Sequence, residues 1–197
     1  MNLPNKITLT RIFMIPIFVA IFFLDDIPFA YGIAAIVFAL AACTDFIDGY
    51  IARSRGLVTN LGKFLDPIAD KVLVSTAMLL ILTMKDSLFA RLSYANALYI
   101  ATALCTCIIM ARELIISAFR QIAATRGLVM AADKLGKYKT TFQDISIFAL
   151  IFSASLTGTA MTVVATIGLV LFAVATILTI WSGISYVVKN KQVLKDE

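Results

Sequence analysis

The chain has 197 residues, of which 61% are hydrophobic, and its mean hydropathy is +0.95. That balance excludes a soluble domain, because no single core of this size could absorb so many apolar runs. The net charge of +5 does not point to nucleic acid, because the basic residues cluster at the ends of the apolar runs, and the absence of histidine removes the commonest general base and transition-metal ligand.

A membrane-crossing helix needs about 20 mostly apolar residues, and the chain offers six such segments without sustained period-2 alternation. The expectation is an all-α, polytopic membrane protein of six transmembrane helices. Residues 1–11 form a mildly amphipathic N-terminal interfacial segment, with Asn2 as a cap and Pro4 in the first turn. The first span covers 7–24, with Pro16 as a tolerated kink, and ends in Asp25-Asp26, not in a small-residue cleavage site. A tight turn leads to the second span, 29–52, whose last third is acidic. After a polar loop, the third span covers 61–84, with its charges in the first half. The fourth starts near Tyr94 and runs through Arg112 and Arg120 toward Arg126, long enough to project beyond a bilayer. The fifth covers 135–156 and the sixth 160–188, before a charged tail. Cys43, Cys105 and Cys107 fall inside apolar spans and read as packing residues.

Of the 17 Lys and Arg residues, all but Lys85 and Arg91 fall on one side of this layout. The positive-inside rule therefore puts both termini, and the acidic ends of spans two and three, in the cytoplasm. Nothing suggests a second domain; residues 1–197 read as one unit.

The chemistry concentrates between Asp45 and Asp70. Asp45, Asp48, Gly49 and Ala52 share one helical face at i, i+3, i+4 and i+7; Gly62, Asp66 and Asp70 share another at i, i+4 and i+8. Carboxylates in apolar sequence are costly unless neutralised. Salt bridges to Lys63, Lys71 or Arg53 could serve one or two of them. Four, flanked by small residues that let a bulky ligand approach the backbone, suggest divalent cations in an all-oxygen site holding a pyrophosphate. Arg53 could reach a phosphate at the rim. A cation or proton transporter also uses intramembrane carboxylates, but near the midplane and without the small-residue stripe.

Asp45-x-x-Asp48-Gly49-x-x-Ala52-Arg53, eight further residues, then Gly62-x3-Asp66-x3-Asp70 resembles, without departure, the signature of the CDP-alcohol phosphotransferase family. The resemblance implies two divalent cations, Mg2+ or Mn2+, held by Asp45, Asp48, Asp66 and Asp70. It also implies a CDP-linked lipid across Gly49, Ala52, Arg53 and Gly62, Asp70 as the catalytic base, and a homodimer. Asn2-to-Arg11, Asp66-to-Val74, Arg112-Glu113 and Gly136-to-Gln143 extend it over nearly the whole chain, toward bacterial members that use CDP-diacylglycerol and glycerol 3-phosphate. On that reading the protein sits among membrane lipids in the cytoplasmic (inner) membrane and makes phosphatidylglycerophosphate and CMP. Arg112, Lys134, Lys137 and Lys139, with Arg120, are the candidates for the acceptor phosphate, and Asn5, Thr8 and Arg11 for the nucleotide side. Serine, inositol phosphate or phosphatidylglycerol stay open as acceptors.

Overall fold

A computed structural model describes the backbone of residues 3–24, 27, 29–54, 60–125 and 134–191, and their side chains except those of 3–5, 45–54, 60, 61, 63, 64, 134 and 135. The described residues form six long helices and no strand: α1 (Leu3–Phe22), α2 (Ala30–Ser54), α3 (Asn60–Thr83), α4 (Ala95–Thr125), α5 (Lys134–Ser153) and α6 (Gly158–Lys189). One 3-10 turn, Phe89–Arg91, lies between α3 and α4. The N-terminal segment expected as a separate interfacial element is instead continuous with α1. The reason lies in its polar residues: Thr8 and Arg11 are almost fully buried against α2 and α3, so this stretch packs inside the bundle.

α1 pairs with α2, and α5 pairs with α6; α2 also lies on α5, α4 on α6, and α3 on α1. Phe18, Phe38, Leu73, Met78, Ile81, Ile109, Ile147 and Phe172 fill the interior. Phe29 starts α2 with a left-handed φ of 69°. Its ring folds over Gly32, where a Cβ would stand 2.1 Å from Cε1, and packs edge-on against Phe152 of α5. Any larger residue at position 32 would require the Phe29 ring to move.

The surface pattern is the inverse of a water-soluble protein. Phe13, Leu114, Ile177 and Trp181 are more than 60% exposed, while Thr102, Gln143, Ser146, Thr179 and Ser182 are buried. Buried hydroxyls turn back onto their own helix, as Thr102 Oγ1 does to the Leu98 carbonyl at 2.8 Å and Thr179 Oγ1 to Ala175 at 2.6 Å. That is how polar groups are satisfied where water is absent. α4 and α6 are long and apolar enough to cross a membrane, with mean hydropathies of 1.8 and 2.6 over windows only 22% and 33% buried. Their lengths of 31 and 32 residues correspond to roughly 47 Å at 1.5 Å per residue, against a hydrocarbon core of about 30 Å. α2 offers a shorter apolar stretch, Ala30–Thr44, and α3 and α5 carry charges in their first turns. The cysteines are free, and Cys43 and Cys107 face outward instead of packing in the core.

Close helix approach depends on small residues. A Cβ at Gly168 of α6 would meet Leu150 Cγ at 2.9 Å and the Leu150 backbone nitrogen at 3.2 Å, whereas one at Gly136 would meet nothing within 4 Å. Gly168→Ala is expected to destabilise the α5–α6 contact by about 1–3 kcal/mol, as overpacking does. Gly136→Ala should be neutral or stabilising by up to about 1 kcal/mol. Thermal unfolding in detergent of both variants checks the contrast.

Candidate active site

Two polar assemblies meet along α3. In the first, Asp66 and Asp70 lie one turn apart on the same face of α3, both half-buried. The Thr8 hydroxyl of α1 donates to Asp66 Oδ1 at 2.5 Å. One turn on, the fully buried Arg11 donates from Nε to Thr44 Oγ1 of α2 at 3.3 Å. Thr44 in turn donates to its own helix at the Ala41 carbonyl, 2.6 Å away. Thr44 immediately precedes Asp45, so α1 grips both helices that carry the acidic signature. Gly62 is buried at the start of α3. The helical backbone of α2 continues through Asp45, Asp48, Gly49, Ala52 and Arg53, but their side chains, like those of Asn5 and Lys134, lie outside the described residues. Among the described residues no three acidic or sulfur side chains cluster, and Asp66 and Asp70 are the signature aspartates that fall within them.

The second assembly surrounds a cavity of ≈ 70 Å³ between α3, α4 and α5, lined by Asp70, Lys71, Ser75, Glu113, Lys139 and Gln143 among others. Glu113 Oε1 accepts from Lys139 Nζ of α5 and, at 3.4 Å, from Arg112 Nη1. Arg112 Nη2 reaches α6 and donates to Ser182 Oγ at 3.0 Å. Gly183 allows this: a Cβ there would stand 3.1 Å from Arg112 Cγ. Lys71 donates to Ser117 Oγ, and that hydroxyl donates to the Glu113 carbonyl at 2.5 Å. Asp70 and Lys71 of the acidic helix, Glu113 of α4 and Lys139 of α5 therefore share one small space, and Arg112 reaches Glu113 from the side of α6.

The basic residues singled out in the sequence separate here. Arg112 and Lys139 come together on Glu113. Lys137 is exposed while Lys139 is buried, since residues two apart on a helix point to different sides. Arg120 turns to α6, donating from Nε to the Tyr186 hydroxyl at 3.1 Å with its guanidinium 5.3 Å from the ring centre. Sequence reasoning did not single out Ser117 or Ser182, and it took Thr140 and Gln143 only as part of the Gly136-to-Gln143 stretch, without a role. The Glu113-x3-Ser117 spacing, one face of α4, was the available signal for the first.

The model of the CDP-alcohol phosphatidyltransferase family matches residues 1–185. The chain belongs to that family. It is similar to the CDP-diacylglycerol–glycerol-3-phosphate 3-phosphatidyltransferase of Bacillus subtilis (strain 168), at 44% identity over 76% of each chain. The proteins of the same name from Salmonella typhimurium and Shigella flexneri are 36% and 37% identical, over all of this chain and 98% of theirs. Within this family member, the contrast between the two lysines of α5 is directly testable. Lys139→Met removes one of the two cations on the Glu113 carboxylate and is expected to cost about 1–3 kcal/mol. Lys137→Met, at an exposed position, should stay within about 0.5 kcal/mol. Denaturant or thermal unfolding of the two variants measures the difference.

Proposed function

We propose that the chain is an integral-membrane transferase that moves the phosphatidyl group from CDP-diacylglycerol to glycerol 3-phosphate, giving phosphatidylglycerophosphate and CMP. The observation that carries this reading is the shared cavity, in which Asp70 of the acidic helix meets Lys71, Glu113 and Lys139. It sets a proton acceptor beside cations suited to an acceptor alcohol that bears its own phosphate. The names of relatives that align over the full chain support the same substrates.

The donor set of the acidic face fits a hard divalent ion. Asp66 and Asp70 offer oxygens from one side of α3, the sequence supplies two further aspartates on α2, and there is no histidine to favour a softer metal. In this proposal Asp45, Asp48, Asp66 and Asp70 hold two such ions, Mg2+ or Mn2+. The chemistry supplied by the bound ions is neutralisation of the pyrophosphate and of the charge growing on departing CMP. Thr8 orients Asp66 by its hydrogen bond. Gly49, Ala52 and Gly62 leave room for the nucleotide, Arg53 and Asn5 border it, and Thr8 backs it through Asp66.

Asp70 takes the proton from the acceptor hydroxyl, whose oxygen attacks the lipid-bearing phosphorus in line with the bond to CMP. That bond breaks as the new phosphorus–oxygen bond forms. Arg112 and Lys139 hold the acceptor phosphate; Lys134, Lys137 and Arg120 add positive charge that draws anions toward the protein. All six helices cross the cytoplasmic (inner) membrane, with both termini and the site on the cytoplasmic side. The support is the one-sided distribution of Lys and Arg and the apolar exterior. The transferase works as a homodimer among membrane lipids.

Purified protein should release CMP from CDP-diacylglycerol with glycerol 3-phosphate and a divalent ion, and EDTA should abolish the release. Asp70→Asn should lower kcat by roughly 10²–10⁴, the usual size of a general-base contribution, without changing the unfolding temperature. CMP release that survives EDTA would contradict the metal role. A faster reaction with serine, inositol phosphate or phosphatidylglycerol would reassign the acceptor.

A further inference from the structure

Glu113 has no task in the transfer just described, yet it is the point on which the cationic side of the cavity converges. Its Oε1 accepts from Lys139 of α5 and from Arg112 of α4. The side chains of Lys139 and Arg112 are only 5% and 18% exposed. Two cations this buried repel each other unless an anion lies between them. The cavity of ≈ 70 Å³ beside them has room for only a few water molecules, which screen such repulsion less than bulk solvent does. The carboxylate is itself anchored. The next turn of α4 closes onto it through Ser117, which donates to the Glu113 carbonyl at 2.5 Å and accepts from Lys71. Arg112 is held from its far end by Ser182 of α6, at 3.0 Å.

We propose that Glu113 is a positioning residue of the acceptor site: its carboxylate keeps the Lys139 ammonium and the Arg112 guanidinium at the separation that one phosphate group bridges. Both cations already address a single anionic oxygen, and a phosphate oxygen makes the same demand. An ammonium carries three N–H donors and a guanidinium five, and the bond to Glu113 takes one from each. Lys139, which lines the cavity, can therefore keep Glu113 and still present donors to an incoming anion, while the Arg112 guanidinium adds its charge from behind Glu113. Glu113 touches neither the reacting hydroxyl nor the phosphorus; it acts through the two cations. This inference rests on the proposed acceptor being a phosphate-bearing alcohol.

The test is steady-state kinetics with both substrates varied, on the full chain in detergent. Glu113→Gln keeps the side-chain shape and removes the charge. It should raise the KM for glycerol 3-phosphate by about thirtyfold, the low end of what the loss of one partner of a buried charge pair costs. The KM for CDP-diacylglycerol and the kcat at saturating acceptor should change by less than about twofold. Glu113→Asp retains the charge but retracts it by one methylene, and should fall between wild type and Glu113→Gln. It also carries the test if the glutamine variant does not fold. A loss of kcat with unchanged acceptor KM would make Glu113 merely structural and overturn the proposal. A lower acceptor KM in Glu113→Gln would mean that the carboxylate competes with the acceptor, and would also overturn it. If wild-type protein gives no turnover with glycerol 3-phosphate, the acceptor assignment fails; if wild type turns over and both variants match it, only the role of Glu113 fails.

Discussion

An ionised side chain among membrane-length helices has to find a counter-charge, because the surrounding hydrocarbon cannot hydrate it. The interior of this bundle is arranged around that requirement. Lys139 and Arg112 meet on one oxygen of Glu113. Arg11, fully buried, takes Thr44 as a partner. The Lys139–Glu113 pair joins α5 to α4 and the Arg11–Thr44 bond joins α1 to α2, so settling the charged groups and choosing neighbours are one problem. Removing a partner leaves a charge stranded, which is why the polar interior imposes a single arrangement more strictly than apolar packing would.

The same contacts define the site. α1 touches the acidic helices at two places, Thr8 on Asp66 of α3 and Arg11 on Thr44 of α2. These bonds tie α1 to α3 at Asp66 and to α2 at Thr44, the residue before Asp45. α4 brings Arg112 and Glu113 to α5 and α6, and its length carries the chain on to Arg120, which closes against Tyr186. Ile116, Phe119, Ala123 and Tyr186 form a small apolar cluster of their own at that end, which anchors α4 to α6 beyond the cavity. Preorganisation of this kind favours phosphoryl transfer, where catalysis is chiefly positioning and electrostatics.

Outside, the logic reverses. Large apolar side chains on α1, α4 and α6 are exposed, Trp181 among them. An apolar groove of ≈ 500 Å³ runs between α4 and α6, lined by Ile108, Ile115, Ile180 and Ile184, with Arg112 at its floor. A soluble protein with such a surface would aggregate; in a bilayer it is the ordinary boundary with lipid.

Much of this was legible from residue order, because helical periodicity is a local property. The 3- and 4-residue spacings of Asp45, Asp48, Asp66 and Asp70 announce two acidic faces wherever the helices end up. The apolar runs give the six helices to within a few residues, as for α2, expected over 29–52 and found as Ala30–Ser54. What residue order could not provide was the partner of each charge. Lys137 and Lys139 look equivalent in the sequence, yet one is exposed and the other buried on Glu113. Thr8 and Asp66 are 58 positions apart, Arg112 and Ser182 70. Such pairings depend on how far each helix is rotated about its axis and how closely its neighbours approach, at Gly168 and Gly183 for example. Those quantities are decided by the packing of the whole bundle, so composition and spacing determined which groups needed neutralising, and only the tertiary structure decided which of them neutralise one another.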